Sequence, residues 1–367
     1  MRSAVIVALL LWACQQNKQD GAAPPPEQRT KSAQRTDVTS LVGSAQRAAF
    51  GDLDGDRDLE LVVVDASQVR VLDPASKRQL ASAPVRAGIQ VLSIADVDGD
   101  GRAEILAGWG MSREFRDAKA RISLLRLAGD TLVEETIAEP ETTRNDVAAI
   151  VPMPDQHAVL VAYFDAKYTV TSAIARRDAS GWQLDKLASI RMATSYARCD
   201  LDGDGTPELV VGRIYGDDIG MDGDAFVLAP DGTRTKLPTT RGLRSLAVIG
   251  SDIFVGDGWH QDYARQAHGL LTWIRRDANG YRSELIEDTP GQYGIERIVP
   301  ATIDGKQALV TLGSKYVRVF VRDGERWHGT TLGGTARDIA VGDVDGKPGD
   351  EILIVGDKSE LVDLAPR

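Results

Sequence analysis

Four segments of this chain repeat one arrangement, in which a small residue precedes an acidic nine-residue loop and a short apolar run follows it. The apolar runs consist mainly of Val, Ile and Leu, and turn-forming residues bound them. Short β-branched runs of this kind are typical of buried strands. The segments are GDLDGDRDLELVVV (51–64), ADVDGDGRAEILAG (95–108), CDLDGDGTPELVVG (199–212) and GDVDGKPGDEILIVG (342–356).

The spacing of these segments predicts degenerate copies between them. The first aspartates of the loops, at positions 52, 96, 200 and 343, are separated by 44, 104 and 143 residues. These intervals correspond to one, two and three units of about 48 residues each. The same alternation of strand, loop and strand recurs with fewer acids in 150–164, 246–259 and 298–313. The chain is therefore predicted to contain seven units.

A repeat of this length with β content throughout is typical of propeller blades of four strands each. We therefore predict an all-β fold over residues 37–367, a seven-bladed β-propeller with four-stranded blades. The strands predicted for the first unit are Ala45–Phe50, Leu59–Asp65, Val69–Leu72 and Gln79–Val85.

The last unit supplies only three predicted strands before the chain stops. They are Asp338–Val341, Glu351–Val355 and Leu361–Leu364. We expect the N-terminal segment Val38–Val42 to supply the missing outer strand. Closing the ring in this way would remove exposed strand edges.

The acidic loops carry oxygen donors at a spacing that suits a metal ion. Carboxylates at positions one, three, five and nine and a main-chain carbonyl at position seven would form an all-oxygen shell, which favours Ca²⁺ over Mg²⁺. The predicted ligands of three structural calcium sites are Asp52, Asp54, Asp56, Asp58 and Glu60, then Asp96, Asp98, Asp100, Arg102 and Glu104, then Asp200, Asp202, Asp204, Thr206 and Glu208. Asp58, Arg102 and Thr206 would contribute their carbonyls. The alternative is that each loop is a solvated Asp-Gly turn.

The fourth acidic loop departs from this pattern. Asp343, Asp345 and Glu351 match, but Lys347 stands where the third acid is expected. Because a positive charge replaces a ligand, we expect this site to be weak or empty. The loops are not EF-hands, since Ala107 holds the twelfth position of the second loop and strands flank it.

The pattern resembles the FG-GAP and VCBS repeats of integrin α-subunit propellers and of many bacterial surface proteins. The resemblance covers nearly all of residues 45–356 as a repeat, and the acidic loops are its most specific part. It implies a metal ion between the first two strands of a blade, away from the face that binds ligands.

Composition is consistent with this interpretation. The chain has 43 Lys and Arg against 54 Asp and Glu, a formal net charge of −11. That balance argues against a nucleic-acid partner, which needs clustered positive charge. Cys199 stands where the other units have Gly51, Ala95 and Gly342, so a small buried residue is expected there rather than a reactive thiol.

The N-terminus has the pattern of an export signal. A positive start at Arg2 leads into the apolar run 4–12, which ends two residues before Cys14. This resembles a bacterial lipoprotein signal, with residues 1–13 removed and a lipid on Cys14, although an ordinary signal peptide with an incidental cysteine is the alternative. Residues 14–36 are polar and Pro-rich, as in a flexible tether. Because Gln15 stands where an aspartate is associated with retention in the inner membrane, the resemblance implies the outer membrane, facing the periplasm or the cell surface, with membrane contact only through the lipid.

Loops on the face opposite the acidic loops gather aromatic and arginine residues. Such residues anchor interfaces and stack on sugars, so this face is a candidate site for a protein or glycan ligand. The candidates are Trp109, Arg113, Tyr163, Arg213, Tyr215, Trp259, His260 and Tyr263. The alternatives are a small outer core that covers the channel ends, and a scaffold with a broad apolar patch on its rim.

Catalysis has weaker support from the sequence. The chain has no Gly-x-Ser-x-Gly elbow, no phosphate-binding glycine loop and no His-Glu-x-x-His. His260 with Asp262, Tyr263 and Arg265 could serve a lyase-like enzyme acting on polysaccharides. We therefore expect a binding or scaffolding module and keep the enzyme as the alternative.

Overall fold

A computed structural model describes residues 33–142, 145–166, 168–216, 223–229, 231–239, 242–257, 268–290 and 294–364. The described chain is all-β, with twenty-eight strands, one four-residue helix and one 3-10 turn at Pro154–Gln156. None of its helices is long and apolar enough to cross a membrane.

The strands follow one another in units of four. Strand β1 (Gln34–Asp37) and helix α1 (Thr39–Val42) come first. Units 1 and 2 consist of β2 (Arg47–Gly51), β3 (Glu60–Val64), β4 (Gln68–Asp73) and β5 (Arg78–Pro84), then β6 (Gly88–Ala95), β7 (Glu104–Gly110), β8 (Arg121–Ala128) and β9 (Thr131–Ala138). Units 3 and 4 consist of β10 (Val147–Met153), β11 (Ala158–Ala166), β12 (Thr169–Asp178) and β13 (Gly181–Arg191), then β14 (Ala193–Cys199), β15 (Glu208–Arg213), β16 (Ala225–Leu228) and β17 (Arg234–Lys236).

The remaining units follow the same order. Units 5 and 6 consist of β18 (Leu243–Ile249), β19 (Asp252–Asp257), β20 (His268–Asp277) and β21 (Gly280–Pro290), then β22 (Ile295–Ile303), β23 (Lys306–Gly313), β24 (Val317–Asp323) and β25 (Arg326–Gly333). Unit 7 consists of β26 (Asp338–Gly342), β27 (Glu351–Val355) and β28 (Glu360–Asp363), completed by β1.

Each unit is an antiparallel meander. Units 3 to 7 are separate four-stranded sheets, whereas units 1 and 2 form one eight-stranded sheet. The two halves of that sheet are joined by a parallel bridge between Ser82 of β5 and Thr131 of β9. The four strands predicted for the first unit agree with β2 to β5 to within two residues at each end.

The units are arranged in a cycle. The first strand of each unit contacts the first strand of the next one along the chain, and β26 of unit 7 contacts β2 of unit 1. Seven hydrophobic clusters each combine side chains of two consecutive units, and one of them joins unit 7 to unit 1. The architecture of the described chain is therefore propeller-like.

Burial explains why the apolar runs form the second strands. All residues of β3, β7 and β27 are buried, because these strands are covered on both faces by the neighbouring units. A strand covered on both faces needs a continuous apolar run rather than an alternating one. The fourth strand β9 is largely exposed and contains Glu134 and Glu135.

The strand that completes unit 7 lies upstream of its predicted position. Gln34 to Asp37 pair antiparallel with Asp363 to Glu360, whereas Thr39–Val42 is helical. Val38, Leu41 and Val42 have the spacing of a helix face and pack into the cluster between units 7 and 1. The prediction of Val38–Val42 as the outer strand is therefore wrong, and the fold begins inside the segment expected to be a tether. Predictions for residues 1–32 lie outside the described residues.

Candidate metal centres

The acidic loops connect the first strand of a unit to the second. They lie between β2 and β3, β6 and β7, β14 and β15, and β26 and β27. All four strand pairs align the small residue before the loop with the glutamate at its ninth position, as in the pair Gly51 and Glu60. The antiparallel pairing thus returns the ninth carboxylate to the start of the loop.

Each loop brings three carboxylates together. In every case one oxygen from each of the first, third and ninth residues lies within 4.8 Å of the others. The four groups are Asp52, Asp54 and Glu60; Asp96, Asp98 and Glu104; Asp200, Asp202 and Glu208; and Asp343, Asp345 and Glu351. Two oxygens bound to one Ca²⁺ can be up to about 5 Å apart, which is twice the bond length. The donor sets therefore fit calcium in type and spacing.

The fifth-position carboxylates do not join these groups. Asp56 Oδ1 accepts a hydrogen bond of 2.8 Å from the main-chain N–H of Asp58. The same bond, to the residue two positions on, is made by Asp100 at 2.8 Å and by Asp204 at 2.7 Å. The structure thus brings together three of the four predicted carboxylates in each complete loop.

The first aspartate organises the loop backbone. Asp52 Oδ1 accepts a hydrogen bond of 2.7 Å from the N–H of Gly55, and its Oδ2 accepts one of 3.0 Å from the N–H of Arg57. Asp96 and Asp200 make the same two bonds in their loops. The sixth residue donates the second bond from a left-handed conformation, with φ of 79° at Arg57, 89° at Gly101 and 86° at Gly205.

The ninth carboxylate is buried beneath the loop in units 1, 2 and 7, whereas Glu208 of unit 4 is half-buried. Glu60 is 4% exposed, and its Oε2 accepts a hydrogen bond of 2.7 Å from the N–H of Leu53. Burial, then the nearby charges of Asp54, Asp56 and Asp52, raise the pKa of Glu60 to about 7. Burial likewise raises the pKa of Glu104, which is 2% exposed. A cation would neutralise these buried acids and favour their ionised forms.

The fourth loop lacks part of this framework. Pro348 occupies its sixth position and has no N–H to donate to Asp343. Lys347 Nζ pairs with Asp345, so the ammonium group contacts a carboxylate of the cluster. Asp343, Asp345 and Glu351 are nevertheless brought together. The loop thus has three of the oxygen donors but carries a competing positive charge.

The predicted ligand-face residues are divided between core and surface. Trp109, 3% exposed, belongs to the core between units 1 and 2, and Arg213, 8% exposed, donates from Nε to Asp224 at 2.6 Å. Tyr163 and Tyr215 are half-buried against the clusters beside unit 3, and Arg113 is exposed. The burial of Trp109 and Arg213 favours, for these two residues, the alternative that they belong to a small outer core rather than to a ligand-binding face. Trp259, His260, Tyr263, Asp262 and Arg265 lie outside the described residues.

A polar cavity that the sequence did not predict lies at the start of several first strands. Its volume is about 210 Å³, and Arg47, Gln90, Arg297 and Asp338 are among its lining residues. Arg297 pairs with the buried Asp338, whose Oδ2 also accepts a hydrogen bond of 2.9 Å from the N–H of Ala48. Because the acidic loops follow the ends of these strands, the cavity opens on the opposite side. The sequence feature that indicates this cavity is a charged residue at the start of an otherwise apolar first strand, as at Arg47 and Asp338.

Cys199 is half-buried at the end of β14. Burial, with the nearby acids Glu208 and Asp200, raises the pKa of its thiol to about 12. A thiol that stays protonated at neutral pH is a poor nucleophile, which agrees with the expected packing role.

Comparison with known protein families identifies an FG-GAP-like repeat at residues 52–107. The matched region runs from the first acidic loop to the apolar strand after the second loop, and so includes two of the carboxylate groups. No curated protein matches the chain at a significant level. The chain therefore contains an FG-GAP-like repeat, and the resemblance to FG-GAP repeats is confirmed at residues 52–107.

Proposed function

We propose that the seven units are the blades of one seven-bladed β-propeller, closed by β1 and stabilised by calcium at the loops of units 1, 2 and 4. The propeller acts as a binding or scaffolding module for a protein or glycan. Cyclic contact between the first strands, and the cluster that joins unit 7 to unit 1, support a single closed ring.

The observation that carries the calcium proposal is the repetition of one geometry. Three complete loops place the same three carboxylates within 4.8 Å and use the same main-chain hydrogen bonds to do so. An incidental Asp-Gly turn would not need a buried ninth carboxylate. Asp56, Asp100 and Asp204, and the carbonyls of the seventh residues, are the groups that would complete the shells.

The polar cavity is the best-supported place for a ligand. It lies on the side opposite the acidic loops and offers both arginine donors and carboxylate acceptors. Groups of both signs suit the hydroxyls and carboxylates of a glycan, or the polar side chains of a protein. No observation among the described residues favours an enzyme.

We also propose that the N-terminus anchors the module to the bacterial outer membrane through a lipid on Cys14. The support is the sequence pattern of an apolar run that ends two residues before Cys14, with a polar segment after the cysteine. Metabolic labelling with a radioactive fatty acid should mark the native chain. A Cys14→Ser variant should carry no label, and equal labelling of both chains would refute the anchor.

The calcium proposal is tested by counting bound ions. Isothermal titration of chelator-treated protein with calcium should give about three ions per chain, from the number of complete loops. Asp54→Asn, Asp98→Asn and Asp202→Asn should each remove one ion, whereas Asp130→Asn, on an exposed turn outside the loops, should remove none. Absence of binding to the unmodified chain would overturn the proposal.

A further inference from the structure

One position on the third strand of each unit lies beside the ninth residue of the loop. In unit 2 the pair Ile105 and Leu125 places Arg126 next to Glu104. The same strand pairing puts Asp73 of unit 1, Ala229 of unit 4 and Asp363 of unit 7 at the position beside the ninth loop residue. In units 3 and 5, which have no acidic loop, the position holds Arg176 and Arg275, whereas in unit 6 it holds Val321, one residue before Arg322. Unit 2 alone among the seven combines a complete acidic loop with an arginine here.

Arg126 contacts two carboxylates of the second loop directly. Its Nη2 lies 2.8 Å from Asp98 Oδ2, and its Nε lies 3.2 Å from Glu104 Oε1. Its Nη1 lies 3.1 Å from Glu135 Oε2 on the neighbouring strand β9, which fixes the guanidinium. Asp98 and Glu104 are also two of the three residues whose oxygens converge in this loop. The guanidinium therefore uses the same carboxylates that a metal ion would need.

The arginines of units 5 and 6 indicate what this contact does. Arg322 Nη1 lies 3.2 Å from Asp252 Oδ2, and Asp252 begins β19 at the place of the ninth loop residue. Unit 5 has no other loop acid, and the guanidinium that pairs with this carboxylate comes from the neighbouring unit 6. Arg275 pairs at 3.0 Å with Glu284 and also with Glu325 of unit 6. In these two units a guanidinium supplies the positive charge beside the carboxylates.

The other complete loops differ from the second in this respect. No described lysine or arginine forms an ion pair with Asp52, Asp54 or Glu60 of the first loop, and Asp73 adds a further carboxylate at the third-strand position. In unit 4 the uncharged Ala229 holds that position, and Arg276 of unit 5 approaches Asp202 alone, at 3.3 Å. Among the three complete loops, the positive charge close to the carboxylates thus increases from the loop of unit 1 to that of unit 4 and then to that of unit 2.

We propose that Arg126 is a resident counter-cation of the second loop, which holds Asp98 and Glu104 when calcium is absent and must be displaced for calcium to bind. This inference rests on the proposed calcium binding and deepens it. Competition by a guanidinium makes the second loop the weakest of the three complete sites. The first loop is the strongest, because it has no competing cation and an added acid.

The test removes the charge while keeping a polar side chain of similar length. In calcium titrations of the whole chain, Arg126→Gln should tighten the weakest site by about tenfold, since calcium no longer has to displace two ion pairs, to Asp98 and Glu104. Asp98→Asn should abolish that same site, which assigns it to the second loop. The matched control is Arg176→Gln, at the equivalent position of unit 3, where no acidic loop is present. It should leave all affinities unchanged.

Thermal unfolding provides a second test, because Arg126→Gln should change the unfolding midpoint differently in chelator and in calcium. In chelator, Arg126→Gln should lower the midpoint, because Asp98 and Glu104 lose their counter-cation. In saturating calcium the midpoint should equal that of the unmodified chain or exceed it. A variant with unchanged or weaker calcium affinity at the second loop would overturn the role of Arg126 and leave calcium binding intact. A chain that binds no calcium at all would overturn the proposed function itself.

Discussion

The sixth residue of each complete acidic loop adopts a left-handed backbone conformation, from which its N–H reaches the first aspartate. Glycine meets this need in the second and fourth units, at Gly101 and Gly205, whereas the first unit uses Arg57 with φ of 79°. A residue with a side chain loses about 1–2 kcal/mol of folding free energy in this conformation. Replacing it with glycine recovers only part of that amount, because glycine also gives the unfolded chain more conformational freedom.

We therefore predict that Arg57→Gly raises the free energy of unfolding by about 0.5–1 kcal/mol. The side chain is exposed, so little packing is lost. Denaturant unfolding measures the change. Arg57→Ala is the matched control and should give no such gain, because alanine keeps the Cβ. Equal stabilisation by glycine and alanine would mean that the Arg57 side chain, rather than its backbone, is the unfavourable feature.

Glu60 gives the calcium-free protein a pH-dependent stability. Its pKa is raised from 4.5 to about 7 in the folded chain. Between these values the unfolded chain loses its proton while the folded chain keeps it, so this residue lowers the free energy of unfolding as pH rises from about 4.5 to 7. The loss is complete above pH 7 and is on the order of 3 kcal/mol.

The prediction is tested by comparing Glu60→Gln with the unmodified chain in calcium-free denaturant titrations at pH 5 and pH 7.5. The variant should lose less stability than the unmodified chain between the two values, because glutamine does not titrate. Saturating calcium should reduce the difference, since the ion favours ionised Glu60. An identical decline in both chains would place the pH dependence elsewhere.

At the scale of the loop, the fourth acidic segment shows how few residues separate it from a complete site. Lys347 replaces the fifth-position acid and contacts Asp345, and Pro348 removes the N–H that would hold Asp343. Asp343, Asp345 and Glu351 still converge, and Val344 N–H donates to Glu351 Oε2 at 2.8 Å as in the other loops.

We predict that the double variant Lys347→Asp with Pro348→Gly gains one bound calcium ion per chain. The aspartate removes the competing charge, and the glycine restores both the N–H and the left-handed conformation. Isothermal titration counts the ions. Lys347→Asp alone should bind this ion more weakly than the double variant. If neither variant binds an additional ion, the sixth position does not decide the site.

Elements with an apolar signal were predictable, and elements without one were not. The second strands such as β3 and β27 are continuous apolar runs, so their positions followed from the sequence. Strand β1 has the sequence QRTD, lies at the outside of unit 7 and pairs through its main chain, so its side chains carry no periodic signal. The apolar pattern of Val38–Val42 predicts the strand there instead, although this segment packs as a turn of helix.

The candidate site divides in a similar way. Spacing alone was enough to group Asp52, Asp54 and Glu60, because the loop is local and the antiparallel pair returns Glu60 to it. The contact of Arg126 with Asp98 was not predictable, since it depends on the register of a third strand 28 residues away. The cavity beside Arg47 and Arg297 likewise combines residues of units that are remote in sequence.

At the scale of the whole molecule, seven similar interfaces hold the units together. Each cluster lies between consecutive units, and the one that combines Ala48 and Leu61 with Leu353 joins the two ends of the chain. The acidic loops connect the two innermost strands of their units, so loss of an ion would loosen strands that contact both neighbours. Calcium should therefore stabilise the ring as a unit rather than one loop at a time.

The most direct test of this account is the thermal unfolding midpoint of the chain in calcium, in magnesium and in chelator. Each occupied site should add about 2.7 kcal/mol at a calcium concentration one hundred times its dissociation constant. We predict a large rise of the midpoint with calcium, a small one with magnesium, and none with calcium in a triple variant Asp54→Asn, Asp98→Asn, Asp202→Asn. The same midpoint in calcium and in chelator for the unmodified chain would contradict structural calcium and leave the loops as ordinary turns.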